Sequence, residues 1–187
     1  MLDLAHTAAA QGRALVESLI TDVPDFPKPG VMFKDITPLL ASPEGFEAAV
    51  ESIAAHAPSD IDVVVGMEAR GFIFAAPVAL KLGAGFVPVR KPGKLPRPVF
   101  EESFALEYGH ETLTVHKDAI KPGARVMVVD DVLATGGTIG ATAGLLRQLD
   151  VQLVHVAVVM ELAFLDGRKA LDAAGIDSFS TICTVEG

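Results

Sequence analysis

"VMVVDDVLATGGT", residues 126–138, joins a run of β-branched side chains to two adjacent carboxylates and then to a loop of small residues. A short apolar β-branched run is the pattern of a strand covered on both faces, which places it inside a parallel sheet. Asp130 and Asp131 then stand at the end of that strand. Ala134, Thr135, Gly136, Gly137 and Thr138 have little or no side chain to block the backbone. Successive N–H groups in such a loop can converge on an anion, and a helix starting there adds the positive end of its dipole. The arrangement suits a monophosphate. It is neither GxxxxGK[ST] nor GxGxxG, so the usual nucleotide-binding loops are excluded. The two acids would be repelled by the phosphate itself. About one sugar length away they can accept hydrogen bonds from vicinal hydroxyls or from water on Mg²⁺. Paired acids after a strand also occur as plain caps and turn formers; beside this loop the ligand reading is the stronger.

Outward from that stretch, the chain alternates. "IDVVVG" (61–66), "GFVPVR" (85–90), "ARVMVVD" (124–130), "VQLVHVAVVME" (151–161) and "SFSTICTV" (178–185) read as strands, while 71–83, 138–149 and 167–175 read as helices. Strand and helix in turn imply an α/β fold with a central, mostly parallel sheet flanked by helices. "SFALEYGHETLTVH" (103–116) alternates apolar and polar residues about a turn and reads as an inserted β-hairpin. On the N-terminal side, 4–20 is expected as an amphipathic helix with Leu4, Ala8, Leu15, Leu19 and Ile20 on its apolar face. "DVPDFPKPG" (22–30), with three prolines, is expected to be irregular, and Ser42-Pro43 opens a second helix.

Bulk properties narrow the function. The chain has 187 residues, half of them hydrophobic and 21% charged, as expected for one domain with a sizeable core. No apolar run approaches the ~18–20 residues that span a bilayer, and residues 1–13 lack the basic start of a signal peptide. Cys183 is the single cysteine, so an intrachain disulfide is excluded and a reducing cytoplasm is the expected setting. A net charge of −9 argues against a nucleic-acid or anionic-membrane partner. Against that background "RKPGKLPR" (90–97) holds four of the fifteen Lys and Arg residues and no acid, which looks like a local device for an anionic ligand. The five histidines show no zinc-ligand spacing, and His155 in an apolar strand is expected to be a satisfied core or interface side chain.

The opening stretch resembles the phosphoribosyl diphosphate (PRPP) motif of the type I phosphoribosyltransferases. The similarity extends over "DFPKPGVMFKDITPLL", "GMEARGFIFAAPVA", "VRKPGKLP" and "FALEYG", in the family's order, and within that family it points to the members that use adenine. The resemblance implies the type I phosphoribosyltransferase fold, as one domain over residues 1–187. Residues 1–40 would form an N-terminal helix and base-binding hood, and 91–116 a flexible loop and hairpin. It implies transfer of phosphoribose from PRPP to adenine, giving AMP and pyrophosphate, with Mg²⁺ bound through the substrate rather than by the protein, and a homodimer. The alternatives are transfer to another base, or a PRPP-sensing regulator without turnover.

By the same resemblance, Ala134–Thr138 hold the 5′-phosphate and Asp130 and Asp131 address the ribose. Arg70 in "EARG" contacts pyrophosphate. Lys91 and Lys94 lie on the closing loop, and Arg90 is a further pyrophosphate contact, within the chain or across a dimer. Glu107 is the acid–base residue, either accepting adenine's proton or hydrogen-bonding the ring in the reverse direction; Tyr108 lines the closed pocket. Val31 and Phe33 flank the base, and backbone groups near Phe33 and Lys34 read its polar edge. Lys34 stands where the family pattern has Arg, whose planar fork an ammonium cannot copy. For Glu107 the competing reading is a hairpin carboxylate facing solvent, and for Tyr108 strand packing. The chemistry agrees with these roles. Loss of pyrophosphate from the anomeric carbon puts positive charge on the sugar and negative charge on the leaving group, so cations there act most in the transition state. A lid would keep water from the sugar cation.

Overall fold

A computed structural model of the chain describes residues 2–105 and 109–186, with side chains from residue 9 onward. Five strands form one parallel sheet in the order β4-β3-β7-β8-β9: β3 (Val63–Met67), β4 (Gly85–Val89), β7 (Arg125–Leu133), β8 (Gln152–Leu162) and β9 (Phe179–Val185). Helices α4 (Arg70–Leu82), α5 (Gly137–Gln148) and α6 (Gly167–Ala173) connect them. The remaining described elements are α1 (Leu2–Ser18), the antiparallel pair β1 (Thr21–Pro24) and β2 (Met32–Asp35), helices α2 (Thr37–Ala41) and α3 (Pro43–Ala55), the hairpin β5 (Val99–Ala105) with β6 (His110–His116), and a 3-10 turn at Ala163–Leu165.

The β-branched runs are explained by a core on each face of the sheet. Along β7, Val126 and Val128 belong to the core packed under α5, while Met127 and Val129 belong to the core shared with α3 and α4. Alternation cannot appear as polar and apolar when both faces are dry. The helix ends follow the sequence closely. Ser42 Oγ accepts a hydrogen bond from Gly45 N at the start of α3, and Gly83 sits just past α4 at φ 68°. Pro77 is accommodated inside α4, where the carbonyl that loses a partner belongs to the partly exposed Ile73. His155 is 5% exposed and held between the hydroxyls of Ser178 (2.7 Å) and Ser180 (2.8 Å). Burial lowers its pKa.

Four expectations need correction. Residues 22–24 are not irregular: they lie in β1, with Val23 opposite Phe33, because β2 offers an open edge on which proline can end a strand. Among the side chains of α1 that are described, from residue 9 onward, the fully buried one is Val16, while Leu15 is 36% exposed; Leu4 and Ala8 lie outside the described side chains. The hairpin starts at Val99, so the loop after β4 is shorter than residues 91–103. Finally, β7 does not stop at the acid pair but runs on to Leu133, leaving Asp130 and Asp131 inside the strand. Pairing of Val132 with Met160 and Leu133 with Glu161 on the long β8 carries it past them.

Candidate active site

A cavity of about 400 Å³ lies beyond the carboxyl ends of β3 and β7. Its wall contains Glu68, Ala69 and Arg70 on one side and the continuous run Asp130–Ile139 on the other. The five residues of the phosphate cradle expected from the sequence, Ala134–Thr138, are therefore brought together with both acids and Arg70. Two helices begin here, α4 at Arg70 and α5 at Gly137, and neither has a side chain capping its first turn. Their first amides are left for something else, and two positive helix ends facing one space favour an anion. Gly136 takes φ 82°, a left-handed backbone suited to glycine. The Glu68–Ala69 peptide is cis.

Asp130 and Asp131 are 8% and 4% exposed. Asp130 Oδ1 accepts the Asp131 amide at 2.9 Å. A side chain at position 71 would come within 2.7 Å of the same oxygen, so Gly71 is what lets α4 approach the acid. Burial, and then the charge of Asp131, push Asp130 well above the ordinary carboxylate range. Burial raises Asp131 too, against the pull of Arg70. Arg70 Nε lies 2.9 Å from Asp131 Oδ2 but out of line for a hydrogen bond, and that buried oxygen has no donor among the described residues. A buried oxygen without a donor calls for a ligand's hydroxyl or a solvated cation to complete it.

A second cavity, about 520 Å³, adjoins the first through Arg70, which lines both. Phe33, Phe26, Val23, Asp35, Thr37 and Leu40 are in its wall. Phe26 and Phe33 meet edge to face at 5.0 Å, and the Arg70 guanidinium stands 5.5 Å from the Phe33 ring. Asp35 Oδ1 accepts from the amide and hydroxyl of Thr37 (2.9 and 2.6 Å), which lowers its pKa. Strand alternation puts Phe33 and Asp35 on this face and turns Lys34 away: its Nζ is 2.6 Å from Asp22 Oδ1, in a separate hollow with Cys183. The Lys34 side chain thus cannot contact a base held here, and only its backbone remains beside the ring of Phe33. Val31 is not in the wall; its carbonyl accepts from Phe26 N at 3.2 Å.

The basic segment is also placed otherwise than its charge alone suggests. Arg90 is bound by Glu68 through Nε (3.2 Å) and Nη2 (2.9 Å) and donates to the Lys94 carbonyl. Lys91 is paired with Glu111 of β6, and its amide donates to Glu68. The Lys94 side chain, like those of Arg90 and Lys91, is outside the wall of the first cavity. Arg90 therefore holds a carboxylate in the described state, because Glu68, whose pKa that bond lowers, is the nearest anion. Glu107 and Tyr108 lie outside the described residues. Sequence reasoning passed over Glu68, Asp35 and Thr37. The signal for Asp35 was its two-residue spacing from Phe33 in β2, and for Glu68 its place in "EARG".

Residues 36–182 match the phosphoribosyl transferase domain family. The adenine phosphoribosyltransferase of Cutibacterium acnes is 62% identical over 171 residues, covering 91% of this chain and 97% of that protein. That of Nocardioides sp. is 53% identical over 92% of this chain and 96% of its own length. Among solved structures, the adenine phosphoribosyltransferase of Thermoanaerobacter pseudethanolicus superposes with a TM-score of 0.88 at 44% identity, covering 92% of this chain and 99% of that one. The Saccharomyces cerevisiae enzyme, solved with an imino-altritol bisphosphate and adenine, gives 0.88 at 37% identity over 92% and 99% of the two chains.

Proposed function

Since the chain belongs to the adenine phosphoribosyltransferase family of type I phosphoribosyltransferases, we propose that it converts adenine and PRPP to AMP and pyrophosphate at the paired cavities joined by Arg70. One observation carries the reading: two uncapped helix starts and the small-residue loop face a space whose wall holds a buried acid pair. Ala134, Thr135, Gly136, Gly137 and Thr138 hold the 5′-phosphate through their backbone. Asp130 and Asp131 receive the ribose hydroxyls and fix the ring's orientation. Arg70 turns from Asp131 to the pyrophosphate, where its charge counts most as the glycosidic bond opens. Phe33 carries the base, and backbone groups around it read the polar edge. Glu107 takes or returns the proton at the base, with Tyr108 closing the pocket. Arg90, Lys91 and Lys94 supply further positive charge when the segment after β4 closes.

The residues present fit magnesium held through substrate oxygens and water. The donorless oxygen of Asp131, which can accept a hydrogen bond from water on the ion, supports this. Bound there, the ion would neutralise pyrophosphate charge. The chain works as a homodimer in this reading, with the exposed Ile73 (38%) and Leu80 (83%) of α4 as candidate contact residues. The net charge of −9 supports the absence of a nucleic-acid partner. Among the described residues no helix is long and apolar enough to cross a membrane. A single cysteine, which forms no intrachain disulfide, suits the cytoplasm.

The test is to offer adenine, hypoxanthine, guanine, xanthine and orotate separately with PRPP and Mg²⁺, and to separate products by chromatography. AMP from adenine alone is expected. Turnover with another base, or PRPP binding without turnover, would replace this reading. The close relatives, themselves adenine phosphoribosyltransferases, favour neither alternative.

A further inference from the structure

Glu161, at the carboxyl end of β8, is 4% exposed and has no place in the scheme above. Both its oxygens are taken by Arg168, Nε to Oε1 and Nη2 to Oε2, each at 2.6 Å. Such a bidentate fork fixes direction as well as distance. The same guanidinium lies 5.0 Å over the ring of Phe179 on β9. Arg168 is the second residue of α6, so one side chain fastens the first turn of this helix to two strands.

The other side of that turn is the back wall of the cradle. A Cβ on Gly167 would lie 2.2 Å from the Ala134 carbonyl oxygen and 2.8 Å from the Leu133 side chain. A Cβ on Gly136 would lie 2.8 Å from the Gly167 carbonyl oxygen and 2.7 Å from Ala170 Cβ. Loop and helix thus touch backbone to backbone, and among the described residues no hydrogen bond joins them. The loop's position is set by what it rests on. Glu161 is the partner of Leu133 across β7 and β8, so the clamp is anchored at the level where the cradle begins.

We propose that Arg168, clamped by Glu161, is a positioning residue for the 5′-phosphate of PRPP: it holds the first turn of α6 as the surface against which Ala134–Gly137 are shaped. It touches no substrate and acts through the loop. This rests on the cradle reading of residues 134–138. A helix merely stabilised by Arg168 would lose thermal stability on substitution without a selective change in PRPP binding.

The experiment is steady-state kinetics on the purified full chain, with melting temperature recorded for every variant. Arg168→Lys, which keeps charge but loses the fork, and Glu161→Gln should each raise the KM for PRPP roughly tenfold, a displacement effect. The KM for adenine and kcat should stay within about twofold. Arg168→Ala leaves Glu161 buried and unpaired; should it not fold, Glu161→Gln with Arg168→Gln removes the charge and its partner together. Thr135→Asp, which sets a carboxylate in the cradle, separates the two claims. If Thr135→Asp raises the KM for PRPP and the clamp variants only lower the melting temperature, the clamp is structural and the proposal falls while the cradle stands. If Thr135→Asp leaves that KM unchanged, the cradle reading falls first and takes the clamp with it.

Discussion

The Arg70 guanidinium lies against the Asp131 carboxylate, Nε 2.9 Å from Oδ2, where the phosphate-side cavity and the Phe33 cavity share a wall. An ion pair so placed couples the two sites: whatever draws Arg70 away from Asp131 frees a buried oxygen on one side and alters the cover of Phe33 on the other.

Arg70→Lys keeps the charge and loses the planar group. It should lower kcat/KM by roughly 10²-fold, the scale for losing one oriented donor at developing charge. Initial rates with each substrate varied in turn are the check. A variant within experimental error of the parent would mean that Arg70 only balances Asp131.

Phe33→Ala removes the flat surface from the second cavity without touching the first. The KM for adenine should rise roughly tenfold, in line with the loss of about 1 kcal/mol of ring stacking plus buried area. The KM for PRPP should move much less, because the change reaches the first cavity only through Arg70. Equal changes in both would place the base elsewhere.

The acid pair predicts a trade between stability and function. Asp130, held above its ordinary 3.8 by burial, is a carboxyl whose ionised form the fold disfavours. Its contribution is fully present below the unfolded value and is lost as pH rises through the folded one. Asp130→Asn should therefore raise the melting temperature at neutral pH. That gain should vanish below pH 3.8, where the parent's carboxyl is protonated in both states. Activity should fall at neutral pH. Thermal melts across pH 3–8 decide it; an Asn variant less stable at pH 7 would contradict the burial argument.

Gly136→Ala forces a Cβ into the Gly167 carbonyl and imposes a left-handed backbone on alanine. The cost should be about 1–3 kcal/mol of stability, with a higher KM for PRPP. Gly140→Ala, in open space on α5, is the control and should be neutral or slightly stabilising. Denaturant melts of the two variants would show the contrast, and equal midpoints would refute the close approach.

The alternation of β-branched runs and helices disclosed the sheet because both of its faces are buried. Caps such as Ser42 and Gly83 act locally and could be read locally. The small-residue loop and the acid pair lie in one unbroken stretch, so their meeting required no tertiary knowledge. What was not legible depends on partners distant in sequence. Asp130 and Asp131 fell inside β7 because β8 is long enough to extend the pairing. Lys34 turned outward because strand pairing, not composition, decides which face a side chain takes. Arg90 found Glu68 across 22 positions, and the Glu161–Arg168 fork looks in sequence like any acid and base near a turn.

The most direct test is a crystal structure of the protein with AMP, whose phosphate and base report both cavities at once. The account predicts the phosphate within hydrogen-bonding distance of the amides of residues 135–138 and the adenine ring against Phe33. A phosphate bound away from that loop, or a base on the far side of β2 beside Lys34, would contradict it.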